Sequence, residues 1–319
     1  MRALPVACAL LLASAAARAD DNDLVLARLA KPATGTPGVV PDNQQFRSLT
    51  SELGVVFAPR NLAPADTLGF SGFQFSTEFS FTSINSDQPY WCATEESTSC
   101  ATGFKKSSTI PTFGIFARKG MWFPLPSFEV GAGAVHILSS RLWSAQAYAK
   151  FAIQEGYQGL PIPSVAVRGA ASRLLGVDQL DLTDVSLDIS VSKRFAVEGT
   201  FSVAPYVGYA FLWVIPRSQV VDFTPGVSLK DNPSDVANNF TFSDQENIVR
   251  HRFFAGVKLK YYVFALTAEI DYAFAGSSVD DRAGTTMTCD MPGAAKNDCD
   301  ATDKSGSQAA YSFSASLDF

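Results

Sequence analysis

A chain of 319 residues with 31 acidic against 25 basic side chains, a formal net charge of −6, has room for one large or two ordinary domains. Nucleic acid is excluded as a natural partner, because that surface needs concentrated positive charge. Charged residues make up only 18% of the chain while phenylalanine alone occurs 25 times. A soluble sandwich can tolerate so little charge, but the composition points to apolar surface placed outside a compact core.

The chain begins MRALPVACALLLASAAARADD, with Arg2, an apolar run from Leu4 to Ala17, and Ala17-Arg18-Ala19 as a small-x-small site before Asp20. This is the pattern of an export signal over residues 1–19; the run is too short to span a bilayer comfortably. Cys8 lies inside the apolar run rather than at the cleavage point, so a lipid-modified N-terminus is not expected. Cys92, Cys100, Cys289 and Cys299 remain, two close pairs in polar stretches. In an oxidising compartment each pair is expected to close locally, and neither has the C-x₂-C spacing of a zinc site.

Residues 20–48 carry Pro32, Gly35, Pro37, Gly38 and Pro41 without a sustained period and read as an irregular tail. Residues 46–58 fit either a short amphipathic helix or a strand. Period-two segments then follow. In 70–82, Phe73, Phe75, Phe79 and Phe81 share a face opposite Gln74, Ser76, Glu78 and Ser80. Similar alternation marks 110–119, where Phe116 breaks the polarity, then 127–137, 143–154, 164–173 and 182–193. It continues through 199–214, 249–261, 264–274 and the final YSFSASLDF, making ten segments.

Segments of about ten alternating residues suit a tilted strand crossing the hydrocarbon, and a sheet in lipid must close because its edges would find no water. Trp122, Trp143, Tyr209, Trp213 and Tyr261 stand where interfacial aromatics belong. The three longest connections, 83–109, 215–248 and 275–309, all leave from one side, which fits short periplasmic turns and long external loops. Ten strands then place both barrel ends at the periplasm. An eleventh strand over 51–58 would break parity, so 46–58 is expected to be a helix or plug; a second strand hidden in 20–48, giving twelve, is the alternative.

The aromatic final residue of YSFSASLDF, with apolar side chains at alternating positions before it, resembles the insertion signal of bacterial outer-membrane β-barrel proteins. The resemblance implies an all-β transmembrane antiparallel barrel over 68–319 in the outer membrane, delivered by barrel-assembly machinery and surrounded by outer-membrane lipids. Residues 20–67 are expected as a periplasmic tail with a short helix or plug.

Alternation places Glu78, Arg118, Glu129, Lys150, Arg168, Asp184, Asp188, Arg252, Lys258, Lys260, Glu269 and Asp271 in the lumen. Mixed signs in a confined interior suit a salt-bridged core or, alternatively, a narrow path for small solutes. Binding of extracellular ligands or adhesion through the long loops is a further class. Hydrolysis is less expected, since His136 and His251 both fall on the lipid side, and no cofactor is implied. Asp280, Asp281, Asp290, Asp298, Asp300 and Asp303 could hold calcium but form no ordered ligand motif.

Overall fold

The computed structural model describes residues 20–33, 38–97, 100, 106–123, 127–156, 162–197, 200–228, 230, 232–279 and 302–319. The leader over 1–19, Cys289 and Cys299 lie outside these residues. Ten strands span: β1 (Phe73–Ser83), β2 (Thr109–Met121), β3 (Phe128–Ile137), β4 (Trp143–Gln154), β5 (Ser164–Leu175), β6 (Leu180–Ser192), β7 (Phe201–Ser218), β8 (Ile248–Tyr261), β9 (Phe264–Ala273) and β10 (Gln308–Asp318). Each is antiparallel to the next, and β10 pairs with β1, from Asp318↔Gln74 to Ala310↔Thr82, so the sheet closes. A three-residue strand, Phe195–Val197, only extends the sheet beside the start of β7. The barrel therefore has ten spanning strands among the described residues, and 46–58 adds none.

Alternation decides which side chains meet lipid. Phe73, Phe75, Phe79 and Phe81 are exposed on the outside, whereas Gln74, Ser76, Glu78 and Ser80 are buried inside. The same division on β6 leaves Val185, Leu187, Ile189 and Val191 outside, with Asp184, Ser186, Asp188 and Ser190 within. Polar inside and apolar outside inverts the order of a water-soluble protein and requires a hydrocarbon surround. Trp122, Phe123, Tyr261, Tyr262 and Phe319 form an exposed aromatic border at one rim; Trp143, Trp213, Tyr272 and Phe274 lie toward the other. The first, which holds the start of β1 and the end of β10, is called here the terminal rim. The opposite loop rim carries the connections 84–108, 219–247 and 274–307.

Four inward aromatic rings lie flat against the wall, each over a glycine directly opposite it in the pairing. Phe116 faces Gly133, Tyr148 faces Gly131, Phe254 faces Gly208 and Tyr206 faces Gly256. A Cβ at these glycines would come within 2.4, 2.2, 2.1 and 2.4 Å of the respective ring. Thus Phe116, an irregularity in the sequence pattern, points inward because the neighbouring strand leaves a gap for it.

The N-terminal segment runs through this barrel. Asn22 N donates to Ser139 O (2.9 Å) and Val25 N to Ala93 O (2.9 Å), both at the loop rim. Strands 30–32 and 39–41 pair, and helix α1 (Asn43–Phe57) enters the lumen with Asp42 capping it by accepting from Gln45 N at 3.2 Å. Ala58 is extended and Pro59 follows, which stops the helix. Residues 58–72 continue in irregular backbone to the terminal rim, where Gly120 N donates to Gly72 O (2.9 Å) and β1 begins. The segment expected as a periplasmic tail thus starts at the rim opposite the chain's C-terminus. The physical reason is that α1 is buried on every side, from Phe46 to Phe57, and only the lumen supplies a surround for it.

Candidate functional site

The lumen has two chemically distinct halves. In the half near the loop rim, Phe46, Leu49, Leu53, Val56 and Phe57 of α1 pack against inward residues such as Ile110, Ile137, Leu174, Leu182, Leu212, Val214 and Ile248. Gly54 permits the closest approach: a Cβ there would lie 2.4 Å from Val214 Cγ2. This is an ordinary apolar core enclosed by a membrane barrel.

Buried polar groups of α1 fasten this core to the long loops. The Glu52 carboxylate, fully buried, accepts from Tyr90 Oη (2.7 Å), Trp91 Nε1 (2.8 Å), Asn85 Nδ2 (2.7 Å), Asn85 N (3.1 Å) and Gly306 N (3.1 Å). Five donors replace the water that a carboxylate gives up on burial. Burial and this neighbouring carboxylate push the Tyr90 phenol well above its ordinary pKa. Arg47 donates to Glu246 O (2.8 Å) and Ser278 Oγ (2.9 Å). Ser51 donates to Asp303 (2.6 Å), and Arg250 donates to Ser305 Oγ and Gly306 O, both at 2.8 Å. The Cys92–Cys100 disulfide closes the loop after β1, as its spacing predicts. Arg28 donates to the carbonyls of Cys92 (3.3 Å), Thr94 and Ser97 (2.5 Å) in that loop.

In the half near the terminal rim the charges read from the sequence pair with one another. Arg118 meets Glu78 at 2.8 Å, Lys150 meets Glu129 at 3.1 Å and Arg168 Nε meets Asp188 at 2.6 Å. Asp271 lies 3.6 Å from Arg252 and 3.7 Å from Arg60, a plug residue the strand pattern did not reveal. Lys258 and Lys260 share Asp318, at 2.7 and 3.4 Å. Asp184 stands apart beside α1, accepting from Ser172 Oγ at 3.0 Å. Glu269 binds no cation side chain directly; it accepts from Tyr206 Oη (2.8 Å) and from two backbone N–H groups of the plug.

These wall groups also grip the extended segment. Six carbonyls are taken by donors: Phe57 by Gln146, Pro59 by Arg168 and Arg252, Arg60 by Arg168, Leu62 by Arg118, and Pro64 and Asp66 by Lys150. Five N–H groups are taken by acceptors: Asn61 and Leu62 by Glu269, Ala65 by Ser192, Thr67 by Glu155 and Leu68 by Glu129. Leu62 has φ +44°, which turns its N–H and that of Asn61 toward the same carboxylate. Beside this segment a polar cavity of about 210 Å³ is lined by Asp66, Arg194, Lys258, Lys260 and Asp318 and by Ala63 and Pro64 of the segment itself.

Both histidines lie on the outside. His136 stacks on Trp143 at 4.3 Å between centroids, and Tyr209 Oη lies 2.6 Å from His251 Nδ1. No group of His, Cys, Asp and Glu suited to a metal ion occurs among the described residues. Of the acidic residues singled out between 280 and 303, only Asp303 is described, and it is held by Ser51 rather than arranged as an ion ligand.

No family model matches the chain. No curated protein matches it either. Solved structures that resemble it include Ail, the attachment invasion locus protein of Yersinia pestis (10% identity, 78% of this chain and 99% of that one, TM-score 0.27). The outer membrane protease OmpT from Escherichia coli gives 9% identity over 78% and 94%, with a TM-score of 0.31. LpxR from Salmonella typhimurium gives 6% identity over 76% and 99%, also with a TM-score of 0.31. Similarities of this size carry no functional argument. The closed ten-strand sheet, its lipid-facing exterior and its aromatic borders make the chain a bacterial outer-membrane β-barrel.

Proposed function

We propose that this outer-membrane barrel is a sealed binding or adhesion protein that works through its loop rim, rather than a channel for small solutes. One observation carries the reading: residues 43–68 of the chain itself fill the lumen, α1 in one half and extended backbone in the other. A solute would have to displace a helix that is buried on all sides and tied to the connections after β1, β7 and β9. The terminal cavity supports a vestibule that ends blindly, not a path.

The same ties give the rim a purpose in this reading. They hold long external loops in one arrangement around α1 and residues 20–33, and a preorganised surface loses less entropy on binding. The polar groups gathered there, Ser51, Asp303, Ser305 and Arg250, satisfy one another, which favours a structural over a hydrolytic role. The purified, folded full chain in a planar bilayer is expected to remain silent across applied voltage. Stable ohmic steps from the unmodified chain would overturn the proposal and restore the solute path.

A further inference from the structure

The wall of the terminal half handles residues 58–68 in an unusual way: it reads their main chain. Arg118, Lys150, Arg168 and Arg252 donate to carbonyls, while Glu129, Glu155 and Glu269 accept from N–H groups, the two kinds interspersed along the segment. Across the five central residues, Asn61 to Ala65, no side chain makes a polar bond to the wall among the described residues; the Asn61 amide donates to Ala63 O of its own segment. Side-chain contacts with the barrel flank this stretch. Arg60 reaches Thr82 (3.0 Å) and Asp271 (3.7 Å) on one side, and Asp66 reaches Arg194 (3.0 Å) and Thr67 Oγ1 reaches Glu155 (2.5 Å) on the other.

We propose that the lumen is a binding site for extended polypeptide, of which residues 58–68 are the resident occupant, and that it accepts a second peptide of the same chemistry in trans once that occupant is withdrawn. Every peptide offers the same alternating carbonyls and N–H groups, so a wall that pairs with these recognises a polymer class rather than a sequence. The outer contacts add polarity. A basic residue toward the loop rim and an acidic one toward the terminal rim orient the chain, with uncharged residues between them, of which Leu62 is the one large buried side chain. The wall ion pairs serve both purposes, since Arg118, Lys150 and Arg168 each bind a carboxylate and a peptide carbonyl at once. This goes beyond the rim-binding reading and holds whichever ligand the rim takes.

The test begins with the full chain, folded with a protease site placed in the turn Gly69–Gly72, where Phe70 is 73% exposed. Cutting after folding leaves residues 20–68 held without a covalent link. Urea is then raised until this fragment exchanges while the heat-modifiable barrel persists, and labelled eleven-residue peptides are offered. One carries the sequence of residues 58–68; one keeps the buried Leu62 and Pro64 but replaces Asn61 with alanine and Ala63 and Ala65 with serine; one keeps the native side chains but is N-methylated at Leu62, removing the donor to Glu269. The first two are expected to bind within about threefold of each other, and the N-methyl peptide about tenfold or more weakly, the factor for one lost hydrogen bond to a charged group. Side-chain replacement that weakens binding as much as N-methylation overturns main-chain recognition. A fragment that cannot be exchanged before the barrel unfolds, with no peptide taken up, overturns binding in trans. Neither result bears on bilayer silence of the uncut chain, so this proposal and the sealed-barrel reading fail separately.

Discussion

The two halves of the lumen solve the problem of filling a pipe in opposite ways. Toward the loop rim the filling is a helix whose own backbone bonds are internal, so the wall need only pack against its side chains, with polar groups such as Arg250 where the helix presents polar ones. Toward the terminal rim the filling is extended backbone without a regular internal ladder, and the wall supplies charged or polar partners to the carbonyls of Pro59, Arg60, Leu62, Pro64 and Asp66 and to five N–H groups. The difference teaches that lumen charge in this barrel follows the secondary structure of what occupies it. A mixed-sign interior is the counterpart of an unfolded strand of chain as much as of a solute path.

Substitutions that strike the halves separately can break this contrast. Glu52→Ala is expected to be the most damaging, at about 4 kcal/mol, because the Tyr90 hydroxyl and Trp91 indole N–H are left buried without an acceptor. Trp91 is buried while Trp122, Trp143 and Trp213 are exposed on the outside, so a brominated detergent should quench the other three and leave Trp91 emission to report the loss. Unchanged Trp91 emission and an unchanged urea midpoint would mean that the loops do not depend on α1.

Gly54→Val should cost about 2–3 kcal/mol by overpacking against Val214, and should unseat α1 without touching the terminal half. Intermittent conductance in a planar bilayer is its expected signature; complete silence would show that the extended segment alone seals the barrel. Gly256→Ala, which drives a methyl into the Tyr206 ring, should lower the urea midpoint by the equivalent of about 1–2 kcal/mol. Its effect should appear in the terminal half alone, as faster proteolysis near Gly69, with the Trp91 signal retained. Asn61→Ala should be the mildest, below about 1 kcal/mol, since only a bond within the segment is lost. A larger loss of heat-modifiable mobility would put sequence-specific contacts where main-chain contacts are argued.

The strands were readable from the residues because alternation is enforced by lipid on one side: the phenylalanine rows of β1 leave little choice of register. The charged lumen set was readable for the same reason, being the other face of those strands. Their partners were not. Arg60 lies outside any periodic segment, and pairing between Arg118 and Glu78 depends on a neighbouring strand's register. The course of residues 20–72 was the largest gap, since a buried helix shows no lasting amphipathic stripe and extended backbone shows no pattern at all. The sequence does carry one further signal: Gly131, Gly133, Gly208 and Gly256 all fall on inward positions, where a narrow barrel needs room for rings.

Closure of the sheet depends on β10 and the residue that follows it. Phe319 N donates to Phe73 O (2.8 Å) and Phe73 N to Phe319 O (3.0 Å), joining the start of β1 to a residue about 245 positions away. Because the lumen segment runs directly into β1, it need never be pushed through a finished hole; the remaining strands can wrap around it before β10 seals the seam. That connectivity permits an order of assembly with occupancy first and closure last. The slow, non-local seam becomes the step at which an empty barrel and a filled one part ways.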